Sequence, residues 1–551
     1  MLRRTKTGIT TVATHSMFRI LRRRYSVTSH FKLNDRYKLK CGLEIHTQLN
    51  TKNKLFSASN NKSSSHFNSI PNSQVSFFDL ALPGTQPLLN YEPILFATKL
   101  ALSLNSEINL NSSFDRKHYF YADQPQGYQI TQHYSPFAQH GHMNLFRDID
   151  NIEQEQKRIN ITQLQIEQDT GKSTYLQDEK ITLIDLNRSN VPLIELVTEP
   201  DFTELQQVKA FIKKYQNLIR HLHISTGDLE TGAMRVDVNV SINEYPRIEL
   251  KNLPNTSSII HAIKFEYERQ IRIIETGGTI PSMETRGWDA NKMETVKLRS
   301  KEGIMDYRYM PDPELPNVTL SEDIITNVRE TLPILPDTLI HKLMSEPFNL
   351  SLKDAKILTI KSNNQNDLYD HESLRNYYLE TFTEYKNQVG STINCKLPTT
   401  WIIHELLGDL NKLQIPLLQC EAILTPQLFS EFLLLLHKEK ISNTSGKLLL
   451  FHILETMKEV SYDKTMELNL NKLIKEFNLE LTNNDVGDNE LTEICQQILD
   501  NLNNDKMIQD IKSGKKPKSI KFIIGQGMRL YQGRIKPQDF ERKFKELLNV
   551  K

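Results

Sequence analysis

Glu44 and His46 stand two positions apart in Tyr37–Leu49, a stretch that alternates apolar and polar residues. In an extended strand such residues share one face, with Cα atoms about 6.5–7 Å apart. A carboxylate and an imidazole so placed can reach one divalent ion together. A second acidic group lies in Gln165-Ile-Glu-Gln-Asp-Thr-Gly-Lys-Ser-Thr174, where Glu167 and Asp169 share one parity and Ile166 and Gln168 the other. A third runs from Gly227 to Asp237. Taken singly, each is an ordinary surface pair or satisfied structural carboxylate. Other chemistries are excluded. Gly171-Lys172-Ser173 ends like a phosphate-binding P-loop, but position 166, where that loop needs glycine, is Ile. No G-x-G-x-x-G run occurs, nor any convincing Cys–His nucleophile pairing. Cys41, Cys395, Cys420 and Cys495 lie far apart with no C-x-x-C pair, which reads as scattered core thiols.

These residues need strands to position them. Leu39, Cys41, Leu43 and Ile45 point one way, while Lys40, Glu44, His46 and Gln48 point the other. Arg235–Ile242 repeats the device, with valines inward and Arg235, Asp237, Asn239 and Ser241 on the second face. Helices are predicted over Pro93–Leu104 and Ser257–Glu275, the second begun by Asn255–Ser258 and stopped by Gly277-Gly278. After Pro316 the chain reads as helices with proline breaks, and from Trp401 helical apolar spacing dominates, as in Leu428–His437 and Gly446–Val460. Thr482–Glu490 is polar and reads as a loop. The expected class is α+β: a β-rich domain with packed helices over 36–318, a helical domain over 319–400 and a helical tail over 401–551.

The 551 residues suit two to four domains, and 38% hydrophobic with 25% charged residues is ordinary for soluble protein. The longest apolar runs, such as Phe432–Leu436, are far too short to span a bilayer. Residues 1–25 hold seven cations and no acid, and Asp35 is the first acid. Ser and Thr are frequent among them, so residues 1–28 read as a mitochondrial presequence, with a basic nucleic-acid-binding arm as the alternative. Without those seven cations the chain's net charge falls from +1 to −6. Ile511–Lys551 carries twelve Lys or Arg against three acids, a net +9. That bias suits either a local polyanion contact or a solvated helical face.

The order of motifs narrows the field. Gly42-Leu-Glu-Ile-His46 is followed by Asp79-Leu-Ala-Leu-Pro-Gly84, Phe114–Pro125 with Tyr128-Gln-Ile, Glu167–Thr174 and Asp185-Leu-Asn-Arg188. Then come Pro192–Asp201, Met234–Asn239, Glu249-Leu-Lys-Asn-Leu253, Glu284-Thr-Arg286, Leu298–Gly303 and Asp306–Pro311. This series closely resembles the GatB family, the amide-forming components of glutamyl-tRNA(Gln) amidotransferases. The resemblance runs from about Tyr37 to the C-terminus. It is dense to Pro316, looser through the helices, and recovers at Gly525-Gln-Gly-Met-Arg529 and Gly533-Arg-Ile-Lys-Pro537, which look like the family's YqeY-like tail.

The resemblance implies that ATP and Mg²⁺ activate the γ-carboxylate of tRNA-bound glutamate as an acyl phosphate, which ammonia then attacks. It implies a cradle domain for this chemistry, and helical and tail domains that hold the tRNA. An amidase-type A subunit would supply the ammonia, since no amidase signature occurs in this chain, and a small third subunit, C-type or fungal F-type, would complete the assembly. By the same resemblance Glu44, His46, Glu167 and Asp169 are the catalytic candidates, with Glu44, His46 and Glu167 as metal ligands. Arg116, Lys117, Lys172, Arg235 and Lys251 are the candidate phosphate or carboxylate clamps. Three departures stand out. Where many bacterial relatives read Glu-Glu-Asp, this chain has Glu167-Gln168-Asp169, so Glu167 or Asp169 must serve as the ligand. Lys-Asn-Leu-Asn becomes Lys251-Asn-Leu-Pro-Asn255, which puts the role of Asn255 in doubt. Phe56–Gln74 lacks the cysteine pairs that some members use for zinc, so no zinc is expected. The competing expectation is a non-catalytic tRNA-binding scaffold of the same fold; the intact acidic sets favour the enzyme, working in the mitochondrial matrix.

Overall fold

The computed structural model describes residues 33–61, 69–176, 178–282, 284–299, 307–360, 368–390, 394–459, 468–481, 488–502, 505–512, 519–531 and 535–548. The expected presequence and part of the basic C-terminal segment lie outside them. The sixteen described strands are β1 (Leu39–Gln48), β2 (Glu107–Ile108), β3 (Asn111–Ser112), β4 (Asp115–His118), β5 (Tyr128–Thr131), β6 (Ala138–Phe146), β7 (Gln156–Gln168), β8 (Lys172–Leu176), β9 (Ile181–Asp185), β10 (Pro192–Thr198), β11 (Met234–Ile242), β12 (Ile248–Lys251), β13 (Thr285–Asp289), β14 (Glu294–Arg299), β15 (Met310–Pro311) and β16 (Val318–Thr319). With the helices, they give the α+β class expected from the sequence.

Contact density divides the chain into two compact units: residues 1–213 with 228–325, and residues 214–227 with 326–551. The first holds a nine-stranded sheet in the order β14-β13-β12-β11-β1-β10-β7-β6-β2. Only β12 and β13 pair in parallel; the other neighbours are antiparallel. The central position of β1 follows from its composition. Leu39, Cys41, Leu43 and Ile45 are buried on one face, whereas Glu44 and His46 are half-buried on the other. β11 alternates without a break, with Met234, Val236, Val238, Val240 and Ile242 buried. A helix over Thr256–Glu275 packs against β11 and β14, burying Ile259, Ala262, Ile263 and Tyr267. Asn255 caps it, its side chain accepting the Ser258 N–H at 2.8 Å. Gly277, at φ +72°, lies just past its end. The helix predicted over Pro93–Leu104 spans Tyr91–Ser103.

A buried ion pair ties down the segment after β1. Lys54 Nζ lies 2.7 Å from Asp79, and both side chains are fully buried. Lys54 also donates to the Leu186 carbonyl at 3.2 Å, and Asn190 donates to Asp79 at 2.6 Å. These direct partners offset much of the cost of burying both charges.

The second unit is helical. His371–Val389 packs on Pro426–His437 through Tyr377, Phe429 and their neighbours. Lys396–Leu413 is one continuous helical run with a wide π turn at Thr400–Leu406. Four helices, Asp488–Asn501, Asp505–Lys512, Ile520–Leu530 and Pro537–Leu548, close around Cys495, Ile498, Ile511, Ile523, Phe540 and Phe544. Asp488–Glu490, expected in a loop, instead begins the first of these; the rest of that expected loop lies outside the described residues. Cys41, Cys420 and Cys495 are buried free thiols, and Cys395 is half-buried. Among the described residues no helix is long and apolar enough to cross a membrane.

Candidate active site on the large sheet

The sheet's register assembles the polar face. His46 on β1 lies opposite Glu195 on β10 and Arg235 on β11, and Glu44 lies opposite Asp237. His46 Nε2 is 3.6 Å from Glu195 and 3.9 Å from Glu167. The three-stranded sheet β15-β4-β5 supports Glu167, which accepts hydrogen bonds from Thr131 and, at 3.4 Å, from Gln129. Two groups of ligand atoms result, each within 4.8 Å: His46, Glu167 and Glu195, and beside them Glu44, Asp237 and Glu249. The expected trio is thus divided. His46 and Glu167 come together with Glu195, while Glu44 joins the second group and accepts the Asn239 amide at 2.8 Å.

Charge is packed tightly here. Burial raises the Glu195 carboxyl well above the usual range, with Glu167 and Glu44 adding to the effect and Lys117 and Lys251 opposing it. Burial also raises Glu167, against Lys117, the Thr131 hydrogen bond and Arg235. The His46 side chain keeps 22% of its surface open, yet the surrounding protein desolvates the ring. Burial, Arg235 and Lys251 push its pKa down to about 3, against Asp169. The imidazole is therefore neutral near pH 7 and offers a lone pair.

Asp169 is committed elsewhere. It takes Arg235 at 2.9 Å, Gln48 at 2.9 Å and Arg188 at 3.7 Å. Burial alone would raise its pKa, but Arg235 and Arg188 outweigh it and hold the carboxyl below the usual range. Of the two candidates for the altered bacterial motif, Glu167 stands in the ligand group and Asp169 anchors cations. Lys251 bridges Asp237 at 2.7 Å and Glu249 at 3.0 Å. Arg116 and Lys117 are neighbours on β4 and so face opposite ways. Lys117 is electrostatically coupled to Glu167 and Glu195. Arg116 is held by Asp312 and Glu314 at 2.7 and 2.9 Å, above the Tyr128 ring. Lys172 is exposed on the β8–β9 ribbon, and no described side-chain contact links it to this face. Gly171 marks a chain crossing: an added Cβ would meet the Asp123 and Asp185 carbonyl oxygens at 3.0 and 3.2 Å.

Glu195, Asp237 and Glu249 were not among the expected site residues. Their signals were present: one acid inside the apolar run Pro192–Thr198, the polar parity of β11, and the i, i+2 relation of Glu249 to Lys251. What the sequence lacked was the order of strands. The residues fit a divalent cation. Two carboxylates and a neutral imidazole converge, and the burial that raises the Glu167 and Glu195 carboxyls makes their charged forms costly without a cation beside them.

A face that can hold a cation and a phosphate together is the equipment of enzymes that activate a carboxylate with a nucleotide. Similarity to known proteins agrees. Residues 39–326 match the GatB/GatE catalytic domain and residues 381–548 match the GatB (Yqey) domain. The chain belongs to the GatB family. It is 61% identical over 544 residues to a protein of Zygosaccharomyces rouxii, covering 97% of this chain and 100% of that one. A Saccharomyces cerevisiae protein is 61% identical over 518 residues, covering 93% and 95%. One from Vanderwaltozyma polyspora is 59% identical over 542 residues, covering 97% and 100%. All three carry the name of the mitochondrial B-type component of glutamyl-tRNA(Gln) amidotransferase.

Proposed function

We propose that this chain is the amide-forming component of a glutamyl-tRNA(Gln) amidotransferase that serves translation in the mitochondrial matrix. The observation that carries the reading is the convergence of His46, Glu167 and Glu195 beside Lys117 and Arg235. The γ-carboxylate of tRNA-bound glutamate attacks the γ-phosphorus of ATP, forming an acyl phosphate and releasing ADP. Ammonia then attacks the acyl carbon, phosphate leaves, and Gln-tRNA(Gln) remains after loss of a proton. His46, Glu167 and Glu195 would hold Mg²⁺, with Glu44, Asp237 and Glu249 adjoining. When bound, the ion supplies neutralisation of phosphate oxygens. Lys117, Arg235 and Lys251 orient the anionic groups, and Asp169 keeps Arg235 in place. Arg116 and Lys172 are left with weaker claims as clamps. The surrounding carboxylates give this site a chemistry suited to Mg²⁺, and zinc is not part of the reading.

The division into residues 36–318 as cradle, 319–400 as helical domain and 401–551 as YqeY-like tail belongs to this proposal. So do an amidase-type A subunit delivering ammonia, a small C-type or fungal F-type third subunit, and tRNA on the helical part. The test uses the assembled complex. Glu195→Gln keeps the shape and removes one charge. ATP-dependent formation of Gln-tRNA should fall by roughly a hundredfold, the scale of losing one fixed electrostatic contact. The partner's glutaminase activity should persist. Amidation at the wild-type rate would remove Glu195 and its group from the reaction, leaving the scaffold reading.

A further inference from the structure

Next to Lys117 runs a row of aromatic rings that the proposed chemistry leaves without a task. His133 lies parallel to Tyr309, with ring centroids 3.8 Å apart and planes 12° apart. Tyr309 is 6.2 Å from Tyr307, and Tyr307 is 6.4 Å from Tyr119. Tyr134 flanks the stack, 4.9 Å from His133, and its hydroxyl donates to the Tyr309 carbonyl at 3.3 Å. The rings come from three separate segments, after β4, after β5 and before β15, and pairing of those strands makes them one surface.

Two features separate this surface from core packing. The rings remain open: Tyr134 is 61% exposed, His133 is exposed, and Tyr307 and Tyr309 are half-buried. Large core rings such as Phe56 and Tyr215 are at most 1% exposed. The row also leads to the proposed reaction centre. Lys117 Nζ sits 4.9 Å from the Tyr307 ring, and Tyr309 interacts electrostatically with Lys117, Glu167 and Glu195. Burial, reinforced by Glu167, keeps the Tyr119 phenol neutral. A stacked His133–Tyr309 pair flanked by further accessible rings, beside a cation, suits a flat heteroaromatic base whose attached phosphate reaches that cation.

We propose that His133, Tyr134, Tyr307 and Tyr309 form a platform on which an adenine base stacks, supplied by ATP or by the 3′-terminal adenosine of the tRNA. This rests on the amidotransferase reading, in which both adenines must approach the same centre. The platform holds the base while Lys117 meets the phosphate.

The experiment uses the assembled complex carrying His133→Ala, Tyr309→Ala, or the ring-preserving His133→Phe and Tyr309→Phe. Binding of a non-hydrolysable ATP analogue and of deacylated tRNA is measured by calorimetry. Loss of one stacking contact should weaken the relevant ligand about tenfold, and the phenylalanine variants should bind like wild type. If ATP supplies the base, the alanine variants weaken the analogue alone. If the tRNA supplies it, they weaken tRNA alone, and the penalty for replacing the terminal adenosine by cytidine disappears. Wild-type affinity of both alanine variants for both ligands overturns the platform. So do phenylalanine variants as weak as the alanine ones, since stacking would then not be the cause. A wild-type complex that binds both ligands but makes no Gln-tRNA overturns the amidotransferase reading, while the binding arms still decide the platform.

Discussion

Glu167 and Asp169, two residues apart, have opposite surroundings. Glu167 meets Thr131, Gln129 and the imidazole of His46, and its carboxyl is raised by burial. Asp169 meets two guanidinium groups and an amide, and its carboxyl is depressed. Asp169 is paired directly with two guanidinium groups, whereas Glu167 has no ion pair of that kind among the described residues and faces His46 and Lys117. Asp169→Asn should therefore loosen Arg235 without removing a ligand. Steady-state kinetics of the complex should show the ATP KM raised about tenfold, the scale of losing a supporting contact behind a ligand, with glutaminase activity retained. An unchanged ATP KM would separate Arg235 from nucleotide binding. The Lys54–Asp79 pair gives a second test, of folding. Asp79→Ala leaves a buried ammonium without its counter-charge and should cost about 3–5 kcal/mol. Lys54→Met combined with Asp79→Leu should cost clearly less in denaturant titrations of the protein. Equal losses would mean that shape, rather than charge, governs this site.

At the scale of elements, the Thr256–Glu275 helix shows how a departure from the family pattern is absorbed. The extra proline of Lys251-Asn-Leu-Pro-Asn255 leaves Asn255 at the N-cap, where its side chain accepts the Ser258 N–H. Asn255→Ala should cost about 1 kcal/mol, whereas Asn255→Ser should cost nearly nothing in thermal unfolding. A catalytic Asn255 would instead lose amidation in both variants at unchanged stability. The strands show what could be read in advance. β1 and β11 declare their faces by strict alternation, so the side of Glu44, His46, Arg235 and Asp237 was legible from parity alone. The partition of Glu44 from His46 was not. It depends on which strand lies on each flank of β1, and β10 and β11 come from more than 140 residues downstream. Glu195 was hidden for a related reason: β10 is buried through most of its length, and its one acid has no polar neighbours of the same parity to reveal a face. Alternation on β4 also separates Arg116 from Lys117, which a tally of basic residues in one motif cannot do.

At the scale of the whole molecule, charge is concentrated at the two ends of the chain. Residues 1–25 precede both the family match and the first strand, so their seven cations belong to no described part of the fold. Fused to a reporter, they should suffice for matrix import, and the mature N-terminus should fall between about residues 25 and 36, ahead of β1. An intact Met1 on cytosolic protein would favour the basic-arm reading. The C-terminal +9 segment divides on inspection. Lys536 pairs with Glu439 at 2.7 Å, Lys543 with Asp488 and Glu546 at 2.7 and 3.0 Å, and Lys545 with Glu541 at 2.9 Å. Those cations already have protein partners. Lys521 and Arg529 lie exposed on the Ile520–Leu530 helix with no ion pair closer than 4.0 Å among the described residues, Lys521 within electrostatic reach of Glu541 and Arg529 within the motif that resembles the family tail. If this end binds the tRNA backbone, the two groups should differ in salt dependence, because only a cation on a phosphate releases counterions. Lys521→Ala with Arg529→Ala should lower the slope of log K for tRNA against log salt by about 1.4–1.8, roughly 0.7–0.9 per lost contact. Lys545→Ala should leave that slope unchanged, because its partner is Glu541. Equal slopes for wild type and the double variant would place the tRNA on another face of the helical unit.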